Sequence, residues 1–280
     1  MNSELKKREA YLAGKFYPET RKDLTELLDR ILEKEKEKIE FDAGEKQIIG
    51  GILPHAGHVY SGYQTVHFFE ALKKSAQDFD SFLILHPFHR GGYEDYATDQ
   101  NDYWSTPLGD IALDRKFIDH SKIPSSSHSH RWEHSAEVII PFIQYFGFSD
   151  KKIIPVGIAW QHPESSMDIA HKIFSTQKKL KRKICILASS DFSHFVSPEE
   201  GNRKDNKAID KILDFEPEEL YKVIVKDNIS ICGYGPIMTL LYYAGFFDQK
   251  INAEILSRGH SGQVSPGKDV VDYVSMIFYI

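Results

Sequence analysis

The chain has 280 residues, 41% of them hydrophobic and 12% aromatic, enough for a core that buries roughly 75% of the unfolded surface. A formal charge of -6, from 41 acidic against 35 basic residues, offers no general attraction for phosphate backbones or anionic membranes, so nucleic acid is not expected as a partner. Two cysteines are too few for a disulfide scaffold, no signal-like stretch opens the chain and no run approaches the ~20 apolar residues of a membrane span, so a cytoplasmic protein is expected.

Taken in chain order, Leu24, Leu27, Leu28, Ile31 and Leu32 recur at helical spacing and predict an amphipathic helix over 19–40, with the Glu-Lys alternation of 33–38 as its solvated end. Strands are predicted at 48–53, 82–85, 111–113, 153–158, 184–188, 253–256 and 270–279. Helices are predicted at 63–76, 137–146, 165–176, 204–215, 217–226 and 236–244. The basic run 178–183 falls where a helix should end, and cations there suit the helix dipole. The last strand is largely apolar on both faces and is expected inside the sheet. Alternation of this kind predicts an α/β fold, a layered α-β-α single domain spanning 1–280 with a mixed central β-sheet. No linker, repeat or low-complexity tract divides it.

Ligand-type side chains follow several of these strands. His55 follows Ile52-Leu53-Pro54, and the glycines of the 54–62 segment suit a turn before a helix. His86 and His89 follow the next strand, Asp191 and His194 follow Ser189-Ser190, and Cys232 stands in a Gly-flanked turn. In open α/β sheets the ligand crevice lies beyond the carboxyl ends of the strands, so these residues can converge. Imidazole, carboxylate and thiolate are also the side chains that bind transition metals.

Each residue has a plainer reading. His86 can simply end its strand. Ser135 as N-cap or Glu137 in a first helical turn explains the Glu133–Glu137 segment, and His134 is ambiguous. Cys232 is either a small buried hydrophobe or a thiolate stabilised by the helix that follows. A Ser-His-Asp hydrolase lacks the G-x-S-x-G elbow; an Asp191–His194 pair that orients an imidazole and moves protons fits better. No G-x-G-x-x-G or P-loop occurs, so no nucleotide cofactor is expected.

Arg8-Glu9-Ala10 with Ala13-Gly14-Lys15-Phe16-Tyr17, Pro54-His55-Ala56-Gly57, Glu133-His134-Ser135, Ser189-Ser190-Asp191 and Cys232-Gly233 follow one another in an order that resembles the Memo family, known in bacteria and archaea as protein B of the AmmeMemoRadiSam group. The family is similar in fold to the class III extradiol ring-cleavage dioxygenases. The resemblance implies metal ligands at His55, His89 and Cys232, catalytic residues at His194 and Asp191, and a pocket including His86, His134, Glu137 and Ser190. It implies iron or copper, with zinc possible, in redox or dioxygenase-like chemistry on an unknown small molecule or peptide. A thiolate in place of the dioxygenases' carboxylate is softer and suits copper or redox-linked iron. Partners implied are a radical SAM protein and a third family-associated protein. The competing expectation is a non-catalytic binding module, with Trp104, Trp132, Trp160, Phe88 and Tyr93 lining a recognition surface.

Overall fold

The computed structural model describes residues 5–92 and 94–280. Four parallel strands form the middle of its main sheet: β2 (Ile48–Leu53), β3 (Ser81–Pro87), β7 (Lys152–Ile158) and β8 (Ile184–Ser189), in the order β2-β8-β3-β7. They are buried almost throughout, which is why they read as continuous apolar runs. Antiparallel strands complete the sheet. β4 (Tyr96–Thr98) pairs with β7 at one end, and at the other β11 (Val270–Tyr279) lies between β2 and β10 (Asn252–His260), with short β9 (His194–Val196) on its early residues. β1 (Lys7–Arg8), β5 (Tyr103–Thr106) and β6 (Gly109–Ala112) make a separate small sheet.

Helices cover both faces, as the alternating pattern requires. α2 (His58–Lys74) packs on β2 and β11 and carries α1 (Arg21–Glu35) and α5 (Ile140–Tyr145) outside it. On the other face α9 (Tyr234–Ala244) packs on β2, β3 and β8, backed by α6 (Pro163–Leu180) and α8 (Pro217–Asp227). α7 (Pro198–Leu213) packs on α8 and β11, and α3 (Arg115–Ser121) on α6; α4 (Ser127–His130) is a single turn. No helix of the described residues is long and apolar enough to cross a membrane.

Close sheet-to-helix packing needs Gly51. A Cβ there would lie 2.4 Å from the Phe68 ring of α2 and 2.5 Å from the Met276 carbonyl of β11. Gly51→Ala is therefore expected to cost about 3 kcal/mol through overpacking, read as a lower urea midpoint with unchanged slope.

All seven predicted strands are present. The predicted first helix stops earlier, at Glu35, followed by a 3-10 turn at Lys36–Lys38. Glu35 is not part of a solvated end: it is 7% exposed and accepts a hydrogen bond from His67 Nε2 at 3.0 Å. α2 begins at His58, five residues before the predicted start, because Gly57 serves as N-cap and the His58 N–H donates to the Phe16 carbonyl.

Candidate metal centre

Three parallel strands deliver the site from their carboxyl ends. β2 leads to His55, β3 to His89, and β8, between them, to Ser190 and Asp191. The segment after α4 adds Glu133 and His134, and the α8–α9 connection adds Cys232. Among the described residues, the His, Cys, Asp and Glu side chains close enough to share one ion are His55, His89 and His134, with one donor atom from each within 4.8 Å of the others. Ring centroids are 5.2 Å apart for His55–His89, 5.3 Å for His55–His134 and 4.4 Å for His89–His134.

The hydrogen bonds assign the tautomers. Ser189 Oγ donates its single hydrogen to the Ser135 carbonyl at 2.6 Å, so at 2.7 Å it accepts from His55 Nδ1. His89 Nδ1 donates to Glu133 Oε1 at 2.9 Å, and His134 Nδ1 faces the same oxygen at 3.2 Å. With every Nδ1 committed as a donor, each Nε2 keeps its lone pair. Burial, reinforced by His134 and His89, holds the His55 imidazole well below its ordinary pKa, so the ring is neutral.

Glu133 organises this arrangement. It also accepts the backbone N–H groups of His89, His134 and Ser135 and the Ser135 hydroxyl. Burial opposes its charge, but the donors on His134 and His89 outweigh that and keep the carboxyl far below the usual carboxylate range. Behind it, Arg8 donates to the His130 and Glu133 carbonyls at 2.9 Å each and pairs with Glu137 at 2.5 Å. The Phe16 ring, 4.7 Å from that of His134, packs against the site from the same N-terminal segment.

Cys232 Sγ lies 3.1 Å from His55 Nε2 and accepts from the Asp191 N–H at 3.2 Å. It thus touches one imidazole but stands outside the three-histidine group. Of the two readings left open for Cys232, the buried thiol holds: burial, aided by the nearby Asp191 carboxyl, pushes it well above its ordinary pKa. Gln161 holds the turn by donating to the Cys232 carbonyl and accepting from the Gly235 N–H. Ser190 Oγ accepts from the Gly233 N–H at 2.9 Å, so Ser190 ties the Asp191 segment to the cysteine turn.

Asp191 and His194 each make their hydrogen bonds with other segments. Asp191 Oδ1 accepts from the His55 and Ala56 N–H groups at 2.7 and 3.3 Å, fixing the histidine's backbone, and burial raises the acid's pKa. His194 Nδ1 donates to the Ser230 carbonyl at 2.8 Å, which leaves Nε2 as the nitrogen not used in that bond.

Two other expected pocket residues sit deeper. His86 is fully buried, its Nδ1 3.0 Å from Ser135 Oγ and its ring against Phe88 and His130. Glu137 is also fully buried and is consumed by Arg8, the Tyr17 hydroxyl and the Leu12 N–H. It does stand in a first helical turn, that of the 3-10 helix Glu137–Ile139, but its carboxylate is spent inside the protein. Ser135 is no N-cap; its hydroxyl belongs to the Glu133 network. The proposed recognition surface also changes: Trp104 is fully buried and Phe88 nearly so, whereas Trp132 and Trp160 are exposed, and Tyr93 lies outside the described residues.

The sequence reading quoted Arg8, Glu133 and Ser189 within motifs but gave them, and Ser230, no place in the site. Glu133 carried a chemical signal of its own, as an acid adjoining a candidate histidine. The others act through contacts between segments distant in the chain.

Comparison with known proteins places these residues in context. The sequence model described as Memo-like protein matches residues 8–277. A MEMO1 family protein of Methanococcoides burtonii is 35% identical over 96% of this chain and 99% of its own length. One from Desulfurococcus amylolyticus is 36% identical, covering 99% of this chain and 100% of its own. Another from Archaeoglobus fulgidus is 33% identical over 98% and 100%. Among solved structures, an uncharacterised protein of Escherichia coli K12 superposes with a TM-score of 0.52 over 82% of this chain and 99% of its own, at 13% identity. That likeness is one of fold alone.

Proposed function

Since the chain belongs to the Memo-like family, we propose that it is a transition-metal protein whose centre is held by His55, His89 and His134, with Cys232 beside it, and that it performs redox chemistry on a small molecule or peptide. The observation that carries this reading is the convergence of three imidazoles, each with Nδ1 fixed as a donor and Nε2 left as a lone pair. Metal-binding histidines characteristically have the nitrogen that is not a ligand tied to a hydrogen-bond partner, as Ser189 and Glu133 tie these three.

The donor set fits borderline metals: neutral imidazoles suit iron, copper and zinc, and an adjacent thiol biases toward copper or redox-linked iron. Iron or copper held there would supply one-electron chemistry with room for an exogenous ligand. The chain's own residues do the rest. Glu133 orients two ligands and lends them negative charge. Asp191 holds His55 through its backbone. His194, with Nδ1 committed to Ser230, offers Nε2 to take or give a proton.

The test is metal content after anaerobic loading with Fe(II), Cu(I) and Zn(II). Near one equivalent is expected for wild type and at least tenfold weaker binding for His89→Ala and His134→Ala. Cys232→Ala is expected to keep Fe(II) and Zn(II) but lose preference for Cu(I). No stoichiometric metal under any of these conditions defeats the reading, and zinc retention with redox silence replaces it with metal-assisted hydrolysis. One observation favours the recognition alternative: Trp132 (47% exposed), Trp160 (60%) and Phe195 (77%) each adjoin a residue of the centre or of its supports. Partner binding unaffected by His134→Ala would favour it.

A further inference from the structure

We propose that the buried carboxyl pair Asp205–Asp272 is a proton-dependent brace for the segment presenting His194, firm while the two side chains share one proton and loosened when that proton leaves. Its importance for chemistry rests on the reading of His194 as the proton-handling group; the brace itself is read from geometry.

Asp205 lies on α7 and Asp272 on β11, and both meet Ser193. Ser193 Oγ donates to Asp205 Oδ1 at 2.6 Å, and its N–H donates to the same oxygen at 3.2 Å. From the other side the Asp272 N–H donates to the Ser193 carbonyl, and its carbonyl accepts from Phe192, both at 2.9 Å. The residue immediately before His194 is therefore held by both aspartates, and Val271 pairs in register with His194 itself.

The two carboxyl groups line the same hollow, the Asp272 carboxyl packed against Gly201 one helical turn before Asp205 on α7, and two carboxylates so close in a buried place are not both ionised. Asp205 already accepts from Ser193, whereas Asp272 Oδ2 has no N–H or O–H donor from any other described residue. The pair accordingly holds one proton, for which Asp272 Oδ2, lacking any other donor, is the open place. Gly201 of α7 permits this closeness, because a Cβ there would lie 1.9 Å from Asp272 Oδ2.

Burial and the Asp205 charge push the Asp272 carboxyl up to about 8, against the pull of Arg258. The other charged or titratable groups facing the pair across a hollow of about 240 Å³ are Arg258 and His260 of β10 and the Tyr273 phenol of β11. That hollow gives the proton a route to solvent.

The sign of the linkage is set by the folded state, which holds a proton that an unfolded aspartate releases near a pKa of about 3.9. The stability it confers is complete at acid pH and is lost as pH rises through about 8. The experiment compares full-length wild type, Asp272→Asn and His260→Gln by thermal melting from pH 6 to 9, by amide hydrogen exchange at Ser193 and by carbon-13 titration of the Asp272 carboxyl. The expected wild-type results are a carboxyl midpoint near 8, a falling melting temperature and at least tenfold loss of Ser193 protection, beyond intrinsic base catalysis, between pH 7 and 9. Asp272→Asn, whose amide donates to Asp205 at every pH, should show neither change, while His260→Gln should keep both. A carboxyl midpoint below 6, superimposable wild-type and Asp272→Asn profiles, or recovery of the pH 9 melting temperature by Mg²⁺ in wild type would overturn the proposal. The carbon-13 arm decides even if Asp272→Asn fails to fold. None of these readouts involves metal at the imidazoles, so failure here and failure of the metal reading are separately visible.

Discussion

Arg8→Met should remove about 3–5 kcal/mol of folding stability, far more than its place near the N-terminus suggests. Both Arg8 and Glu137 are almost wholly buried, with side chains 1% and 0% exposed. The guanidinium also donates to the His130 and Glu133 carbonyls and stacks 4.2 Å from the Trp104 ring centroid. Removing the cation leaves a buried carboxylate with only the Tyr17 hydroxyl and the Leu12 N–H, and a buried charge stripped of its partner is the costly case. The Arg8→Met/Glu137→Leu double variant should recover much of the loss, because neither charge then remains unpaired. Urea denaturation of the three proteins checks this. Equal instability of single and double variants would place the cost in lost packing and carbonyl contacts instead.

Glu133→Gln should weaken metal binding about 10–100-fold, the usual effect of losing a group that orients metal ligands, while costing about 1–3 kcal/mol of stability. The carboxylate receives only donors: three backbone N–H groups, the Ser135 hydroxyl and the His89 and His134 rings. An amide has one acceptor oxygen, so its NH₂ must face some of those donors. Calorimetric titration with Zn(II) and urea denaturation separate the two effects. If affinity falls only as much as in a surface control of equal stability loss, Glu133 is merely structural. A disproportionate fall identifies it as the residue that positions His89 and His134.

Together these predictions describe a supporting chain from the N-terminal segment to the centre. Arg8 holds the carbonyls of the turn, the turn carries Glu133, and Glu133 holds two imidazoles. His55 is supported independently, by Ser189 and Asp191 from β8. Disturbing one support should therefore leave part of the ligand set intact, and graded rather than complete loss of metal is expected.

The hydrophobic pattern by itself determined the layered α/β architecture, because parallel strands covered on both faces must be apolar throughout and their helices must be amphipathic. It also determined that His55, His89 and Asp191 gather at one sheet edge, since that follows from their position just after strands. Short elements escaped it: β9 has three residues and β5 four, too few for a period to show.

Tertiary structure decided the roles. Glu137 was legible as an acid at a helix start, but only Arg8, 129 residues away, makes it a buried ion-pair partner. His134 was ambiguous until Glu133 fixed its ring beside His55 and His89. The Cys232 turn left a buried thiol and a stabilised thiolate both open, and burial decided for the thiol. Asp191 and His194, three residues apart, suggested a pair, yet each found a partner from another segment. Periodicity reports which side of an element is buried; tautomers, charge states and ligand sets depend on what the opposite wall supplies, and that wall comes from distant parts of the chain.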